Sequence, residues 1–408
     1  MKDMKEMTII TEGQLIDSGL LSSILNLIIE EEMDYRILKM DVGKTKDETT
    51  RAKIRIYGKT DEKLQLLLSK LTPLGAYEKG AINGVFEKAP LHKTAPEKFY
   101  STTNHRTEVY DKGQWNKVEQ QRMDAVIIRD GSRYICTKIR DIREGDDVLC
   151  GSESVHAFPP AAEKKSDDGF AFMTNDVSSE RSYDVAVDTI ANELKQIKDE
   201  GGKCVVVCGP VVVHTGGAPA LAALIKAGYI KGFLGGNAVA VHDMESYFYG
   251  TSLGVNLETG KPTHGGHNHH MRAINKINGY GSIKNTIEAG ELDRGLMYEV
   301  LQSGIPYCLA GSIRDDGPLP ETVMDMIEAQ EQYQQIIKDS DMILMLSTML
   351  HSIGTGNMTP SWVKTVCIDI NPAVVTKLAD RGTGQAVGIV SDVGLFLIAL
   401  AERLGLKF

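Results

Sequence analysis

Several features are missing from this 408-residue sequence, and each absence removes a class of protein. No uncharged apolar run reaches membrane-spanning length, and the opening Met1-Lys2-Asp3-Met4-Lys5-Glu6 holds no signal-peptide core, so the chain reads as cytoplasmic. Positive charge is in deficit: 45 Lys plus Arg face 55 Asp plus Glu, for a formal net charge of −10. That balance argues against nucleic acid or a membrane as partner, although a local basic pocket can still take phosphates. The six cysteines, at 136, 150, 204, 208, 308 and 367, form no close metal-type pair and read as reduced core residues. Cys204 and Cys208 share one face of a strand, but lie about 13 Å apart along it, too far to bridge or to share a metal.

What is present is an ordinary globular composition, 42% hydrophobic and 25% charged, in a chain long enough for two or three packed units. Residues 1–88 read as strand, helix, strand, strand, helix. A helix at 18–32, opened by Ser18 or Gly19, carries the one-sided stripe Leu21, Ile24, Leu25 and Ile28. Strands follow at 34–42 and 51–58 and a second helix at 61–71, an order that predicts a ferredoxin-like α+β unit. Residues 89–164 read as a small β unit with strands at 108–110, 124–128, 134–138 and 147–150. Within it, Phe99–Asn104 either folds over a crevice as a lid or joins the two amino-terminal units. Residues 165–408 alternate helices with buried apolar strands, which predicts a doubly wound α/β domain on a parallel sheet. Its strands are expected at 203–209, 232–235, 306–310, 341–347, 365–369 and 386–390, with helices at 183–198, 321–338 and 394–404.

Ligands of open parallel sheets sit beyond the carboxyl ends of the strands, so the chemistry is sought there. Five turns qualify: 235–238, 311–317, 347–351, 369–372 and 391–393. Asp369 is placed to accept the hydroxyls of an adenosine ribose, or it is a plain turn cap. The 347–351 turn can offer N–H groups to a pyrophosphate, and Asp392 either joins it or caps the last helix. Arg314-Asp315-Asp316 combines a fork suited to a substrate carboxylate with acids suited to proton transfer, or forms a turn salt bridge. The ordinary Gly-x-Gly-x-x-Gly fingerprint is absent; Gly354-Thr-Gly-Asn-Met-Thr359 lacks the third glycine and runs into Pro360. His264-Gly-Gly-His267-Asn-His269-His270 has imidazoles enough for a transition metal, but no ligand spacing with Cys or carboxylate, so no metal is expected.

Thr11-Glu-Gly-Gln-Leu-Ile-Asp-Ser18, Phe99-Tyr-Ser-Thr-Thr-Asn104, Trp115-Asn-Lys-Val-Glu119 and Met123-Asp124 resemble the family named for a lysine-oxoglutarate reductase/saccharopine dehydrogenase conserved region. The similarity runs over essentially the whole chain. The family includes archaeal-type ornithine cyclodeaminases and the carboxyl-terminal half of cyanobacterial arginine dihydrolase/ornithine cyclodeaminase fusions. Leu346-Ser-Thr-Met-Leu350, Asp369-Ile-Asn-Pro372 and Gly388-Ile-Val-Ser-Asp-Val393 also look like the deoxyhypusine-synthase-like dinucleotide fold, which needs no glycine fingerprint. The resemblance implies NAD contacts from Asn237, Ala238, Asp315 or Asp316, Thr348, Met349, Leu350, His351, Asp369, Asp392 and Val393. It implies an ammonia-lyase that turns L-ornithine into L-proline, in ornithine and proline metabolism, with NAD recycled in each turnover. Arg314 is then the candidate for the substrate carboxylate, with Asp315 first and His351 second for acid–base work, by crevice position. No guanidine-hydrolysing domain precedes the family's opening residues, so arginine hydrolysis is not expected. The alternatives are a saccharopine-type NAD-dependent dehydrogenase, which would accumulate NADH, and an NAD and amino-acid sensor without turnover. A homo-oligomer is expected.

Overall fold

The computed structural model describes residues 4–16, 19–43, 49–80, 82–159, 179–257, 259–261, 263, 269–315, 317–374 and 386–408. These fall into two compact units, one holding the described residues of Met1–Gly169 with Asn357–Trp362, the other those of Phe170–Gly356, Val363–Arg381 and Ala386–Phe408.

In the first unit, β1 (Lys5–Gly13), β2 (Asp34–Asp41), β3 (Thr50–Gly58) and β4 (Ala76–Glu78) form an antiparallel sheet in the order β2-β3-β1-β4. Helices α1 (Leu20–Glu30) and α2 (Asp61–Leu71) complete a β-α-β-β-α-β chain. Alternation in β3 buries Ala52, Ile54 and Ile56 against Ile24 and Ile28 of α1 and Leu64, Leu67, Leu68 and Leu71 of α2. Thr60 caps α2 by accepting from the Lys63 N–H, whereas α1 opens on left-handed Gly19; Ser18 lies outside the described residues.

The same unit carries a seven-stranded sheet, richer than the four strands expected there. It contains β5 (Val85–Lys88), β6 (Arg106–Asp111), β7 (Gln114–Glu119), β8 (Val126–Asp130), β9 (Arg133–Thr137), β10 (Asp147–Cys150) and β11 (Val155–Phe158). The strand expected from Asp124 starts two residues later, because Asp124 is in the left-handed region at φ 56°. Phe99–Asn104 is tied into this sheet: Tyr100 N–H donates to Leu149 O and Thr102 N–H to Ala125 O.

The second unit is organised by a sheet of β12 (Cys204–Cys208), β13 (Gly232–Gly236), β16 (Tyr307–Ala310), β17 (Thr322–Val323), β18 (Met342–Leu346), β19 (Lys364–Asp369) and β20 (Ala386–Val390). A small hairpin, β14 (Thr251–Ser252) and β15 (Val255–Asn256), stands apart from it. Every pair in the sheet is parallel, in the order β17-β16-β13-β12-β18-β19-β20. The chain builds outward from β12 through β13 to β16, then returns to β12's other side for β18, β19 and β20. The winding therefore reverses between β12 and β18, which is where such sheets open a crevice. Cys204-Val-Val-Val-Cys208 is buried at every position, as a strand covered on both faces must be. All six cysteines are buried and free.

The helix expected from 321 begins at Met326, five residues later. Thr322 and Val323 pair with β16 instead, and Asp325 caps the helix by accepting from the Ile327 and Glu328 N–H groups.

Candidate active site

Because the strands run parallel, their carboxyl ends share one edge of the sheet. Its last row pairs Gly236 with Ala310 on one side and Asp369 with Val390 on the other. Gly209 and Ser347 fill the middle: Gly209 N–H donates to Leu346 O at 2.8 Å, and Ser347 N–H to Ile368 O at 2.9 Å. A Cβ on Gly209 would lie 2.1 Å from Ser347 O, and one on Gly235 would lie 2.8 Å from Val239 Cγ1. Glycine thus lets the main chains meet at the reversal point, and Ser347 turns away from the row through a left-handed φ of 46°. The result is a floor in which main chain meets main chain at Gly209 and Ser347.

The expected site residues stand around this edge in different states. Asn237 opens the helix Asn237–Tyr249; its Oδ1 accepts from Leu319 N–H at 3.0 Å and Thr322 Oγ1 at 2.9 Å, bracing the segment that leads into β17. Ala238 follows it, half-buried. Arg314 is exposed. Asp315 closes its own turn, accepting from Ser312 N–H at 2.7 Å, and Asp316 lies outside the described residues. Thr348 is half-buried, while Met349 and Leu350 are exposed in the first turn of the helix Met349–Met358. That helix absorbs most of the 354–359 run. Asp369 is buried and accepts from Asn371 N–H at 2.8 Å, the turn-cap contact. Asp392 caps the last helix through Leu395 N–H at 3.0 Å, and Val393 is in the core, leaving its main chain for any ligand.

His351 is the best-defined group at the edge. Its Nε2 lies where a Cβ on Gly236 would be 3.0 Å away. Its Nδ1 contacts Tyr333 Oη at 3.0 Å, and the same hydroxyl donates to Gly235 O at 2.7 Å. Burial holds the imidazole below its ordinary pKa, opposed by the Asp315 carboxylate, and burial pushes the Tyr333 phenol well above its usual range. Tyr333 was not legible as a site residue: it sits among the buried residues of an amphipathic helix, Met326–Ile337, eighteen positions from the histidine it meets.

A second polar cluster surrounds the buried Glu245. Its carboxylate accepts from His242 Nδ1 (2.9 Å), Thr251 Oγ1 (2.8 Å), Gly254 N–H (2.9 Å) and Leu253 N–H (3.2 Å), fastening the hairpin to its helix. Thr251 also meets His269 Nδ1 at 2.8 Å, and His214 Nδ1 meets Ser252 Oγ at 2.5 Å. His269 is thus engaged in this hub, while His264 and His267 lie outside the described residues. Among the described residues no group of three His, Cys, Asp or Glu is arranged to hold a metal, and no helix is long and apolar enough to cross a membrane.

Residues 6–105 match the family model of the LOR/SDH bifunctional enzyme conserved region. Residues 106–187 match the first region, and 188–400 the Rossmann-fold region, of the arginine dihydrolase ArgZ-like carboxyl-terminal models. The chain belongs to the ArgZ-like C-terminal family. Among its relatives is an ornithine cyclodeaminase of Methanocaldococcus jannaschii, 47% identical over 96% of this chain and 94% of the relative. Another is the bifunctional arginine dihydrolase/ornithine cyclodeaminase ArgZ of Synechocystis, 46% identical over 96% of this chain; the chain spans only 57% of that relative's length. The apo structure of ArgZ, a cyanobacterial arginine dihydrolase, aligns with a TM-score of 0.86 at 42% identity, over 99% of this chain and 58% of that one. A ternary complex of AgrE with ornithine and NAD+ aligns at 0.54 and 43% identity, again over 99% and 58%. The Rossmann-fold region of this ArgZ-like chain is the one that carries the glycine-floored row and His351.

Proposed function

We propose that this protein is an ornithine cyclodeaminase, converting L-ornithine to L-proline and ammonia, with NAD held at the strand-end edge of the second unit. The observation that carries the reading is the reversal of winding between Gly209 and Ser347, in a chain 47% identical over nearly the whole length of a relative of that name. The residues present fit a dinucleotide: Asp369 ends β19 at the same edge and holds its turn through Oδ1, which accepts from Asn371 N–H, leaving Oδ2 with no hydrogen-bond partner among the described residues. Asn237, Ala238, Asp315, Thr348, Met349, Leu350, His351, Asp392 and Val393 frame the same edge and are the proposed contacts, in a deoxyhypusine-synthase-like mode that needs no glycine fingerprint.

Bound there, NAD supplies a hydride acceptor that is restored within each turnover. The protein's own tasks are to hold the substrate carboxylate, for which Arg314 offers an exposed guanidinium, to orient the α-carbon, and to move protons. Ornithine with both amines protonated loses one ammonium ion and closes to zwitterionic proline, so neither net oxidation nor an external reductant is involved.

The test is incubation of the protein with L-ornithine and substoichiometric NAD, following proline, ammonia and absorbance at 340 nm. Proline and ammonia in equal amounts at flat absorbance support the reading. Stoichiometric NADH without proline overturns it in favour of a saccharopine-type dehydrogenase, the reading favoured by the name of the region matched at residues 6–105.

A further inference from the structure

The hydroxyl of Tyr333 has one proton and two neighbours. Gly235 O, at 2.7 Å, is a carbonyl and only accepts, so it takes the phenolic proton. The 3.0 Å contact with His351 Nδ1 is then a hydrogen bond only if the ring nitrogen donates. His351 is therefore held as the Nδ1–H tautomer, and the lone pair is on Nε2. That nitrogen faces the end of β13, where Gly236 leaves the space a side chain would otherwise fill to within 3.0 Å. Tyr333 is only 5% exposed, so water has poor access to replace its contacts. Asp315, first choice by sequence for acid–base work, has both carboxylate oxygens turned to its own loop, at 2.7 Å from Ser312 N and 3.4 Å from Ser312 Oγ. Its charge reaches His351 only as a field that favours the imidazolium.

We infer that His351, rather than Asp315, is the acid–base group of this site, and that Tyr333 is the positioning residue that fixes its tautomer. The inference rests on the ornithine cyclodeaminase reading and deepens it. An N–H bond of the substrate's α-ammonium breaks, its electron pair stays on the amine nitrogen, and the proton moves to Nε2. The imidazolium so formed keeps its Nδ1–H bond to Tyr333 Oη. The same proton is returned to the α-nitrogen as its bond to the α-carbon breaks, the electron pair of that bond leaving with neutral ammonia; the two protons shed by the δ-ammonium as it forms the new C–N bond end on that ammonia and on the proline nitrogen. Among the described residues, the titratable groups facing the ring are Tyr333, from the helix Met326–Ile337, and Asp315, from the turn after β16.

The test pairs Tyr333→Phe with His351→Asn in the full-length protein. Nitrogen-15 NMR of the ring, read without substrate, is expected to show protonated Nδ1 and bare Nε2 in the parent and a loss of that preference in Y333F. With ornithine, Y333F is expected to lower kcat about tenfold with KM nearly unchanged and to move the acidic limb of the kcat/KM profile to lower pH, because the imidazolium loses its acceptor. H351N is expected to lose at least about a hundredfold in kcat, with a far-UV circular dichroism spectrum like the parent's. A parent ring protonated at Nε2, or Y333F with the parental kcat and pH limb, overturns the inference. Because the tautomer is read without turnover, a correct ring in a protein that makes no proline condemns the reaction assigned, whereas a wrong ring in an active enzyme condemns the role of Tyr333. If Y333F fails to fold, the parent tautomer and H351N still decide.

Discussion

Replacing Gly209 by alanine tests whether the reversal point is built as described. The φ of Gly209 is not in the left-handed region, so alanine meets no backbone penalty there. Given free space, it would stabilise the chain by about 0.4–1 kcal/mol by restricting the unfolded state. The structure predicts the opposite. The new Cβ would lie 2.1 Å from Ser347 O and 2.8 Å from its carbonyl carbon, where ordinary contact needs 3.4 Å or more, and both atoms are main chain. Relief requires the ends of β12 and β18 to part by roughly 1 Å, which strains the 2.8 Å bond from Gly209 N–H to Leu346 O. Overpacking of this kind costs about 1–3 kcal/mol, and the lost hydrogen bond about 1 kcal/mol. The sum, about 2–4 kcal/mol, corresponds to a fall in Tm of roughly 4–15 °C for a unit of this size. Thermal unfolding by circular dichroism, with and without NAD, measures both the loss and any accompanying loss of cofactor stabilisation. Gly236→Ala is the internal contrast, since its Cβ would press at 3.0 Å only on the His351 ring, which can move. It should change stability by less than about 1 kcal/mol while reducing turnover. A Gly209→Ala protein as stable as the parent would refute the reasoning outright.

Burial holds His105, His156 and His214 down at about 4, so the unfolded chain takes up these protons first. Stability is therefore complete above about 6.5 and falls as the pH drops toward 4. Asp243, pushed up to about 6 by burial, acts in the opposite sense, but as one group against three. Urea midpoints at pH 7.5, 6 and 5 should decline in that order; a flat series would contradict the burial of these rings. Asp392→Ala removes the acceptor for Leu395 N–H and should cost about 1 kcal/mol, with Asp392→Asn recovering most of it; equal losses in the two would show that its charge, not its cap, is what stabilises. Glu245→Gln cannot accept from all four donors around the buried carboxylate, so it should lower stability by about 1–3 kcal/mol in urea unfolding. An unchanged midpoint would mean that the hairpin is not fastened there.

Where sequence reasoning reached the structure, one local pattern determined the outcome. A run buried on both faces, such as Cys204–Cys208, reads as a parallel strand whatever its neighbours do, and parallel strands put their following turns on one edge. Hence the turns at 235, 311, 347, 369 and 391 were readable as neighbours although up to 156 positions separate them. Polar strands were harder: Gln114-Trp-Asn-Lys-Val-Glu119 buries only Val118, so its membership of a sheet is decided by its hairpin with β6 and not by its own composition. Side-chain roles depended on partners that no spacing announces. The Asp315 carboxylate looked available from its place after a strand, yet its Oδ2 accepts from Ser312 N–H in its own turn. Tyr333 looked like one buried residue of an amphipathic helix, and its hydroxyl acquires meaning only because β13 ends in glycine and brings a carbonyl and an imidazole to it together. A proton count then does what sequence position could not, for a hydroxyl with one proton and a carbonyl beside it leaves the neighbouring ring only one way to bond.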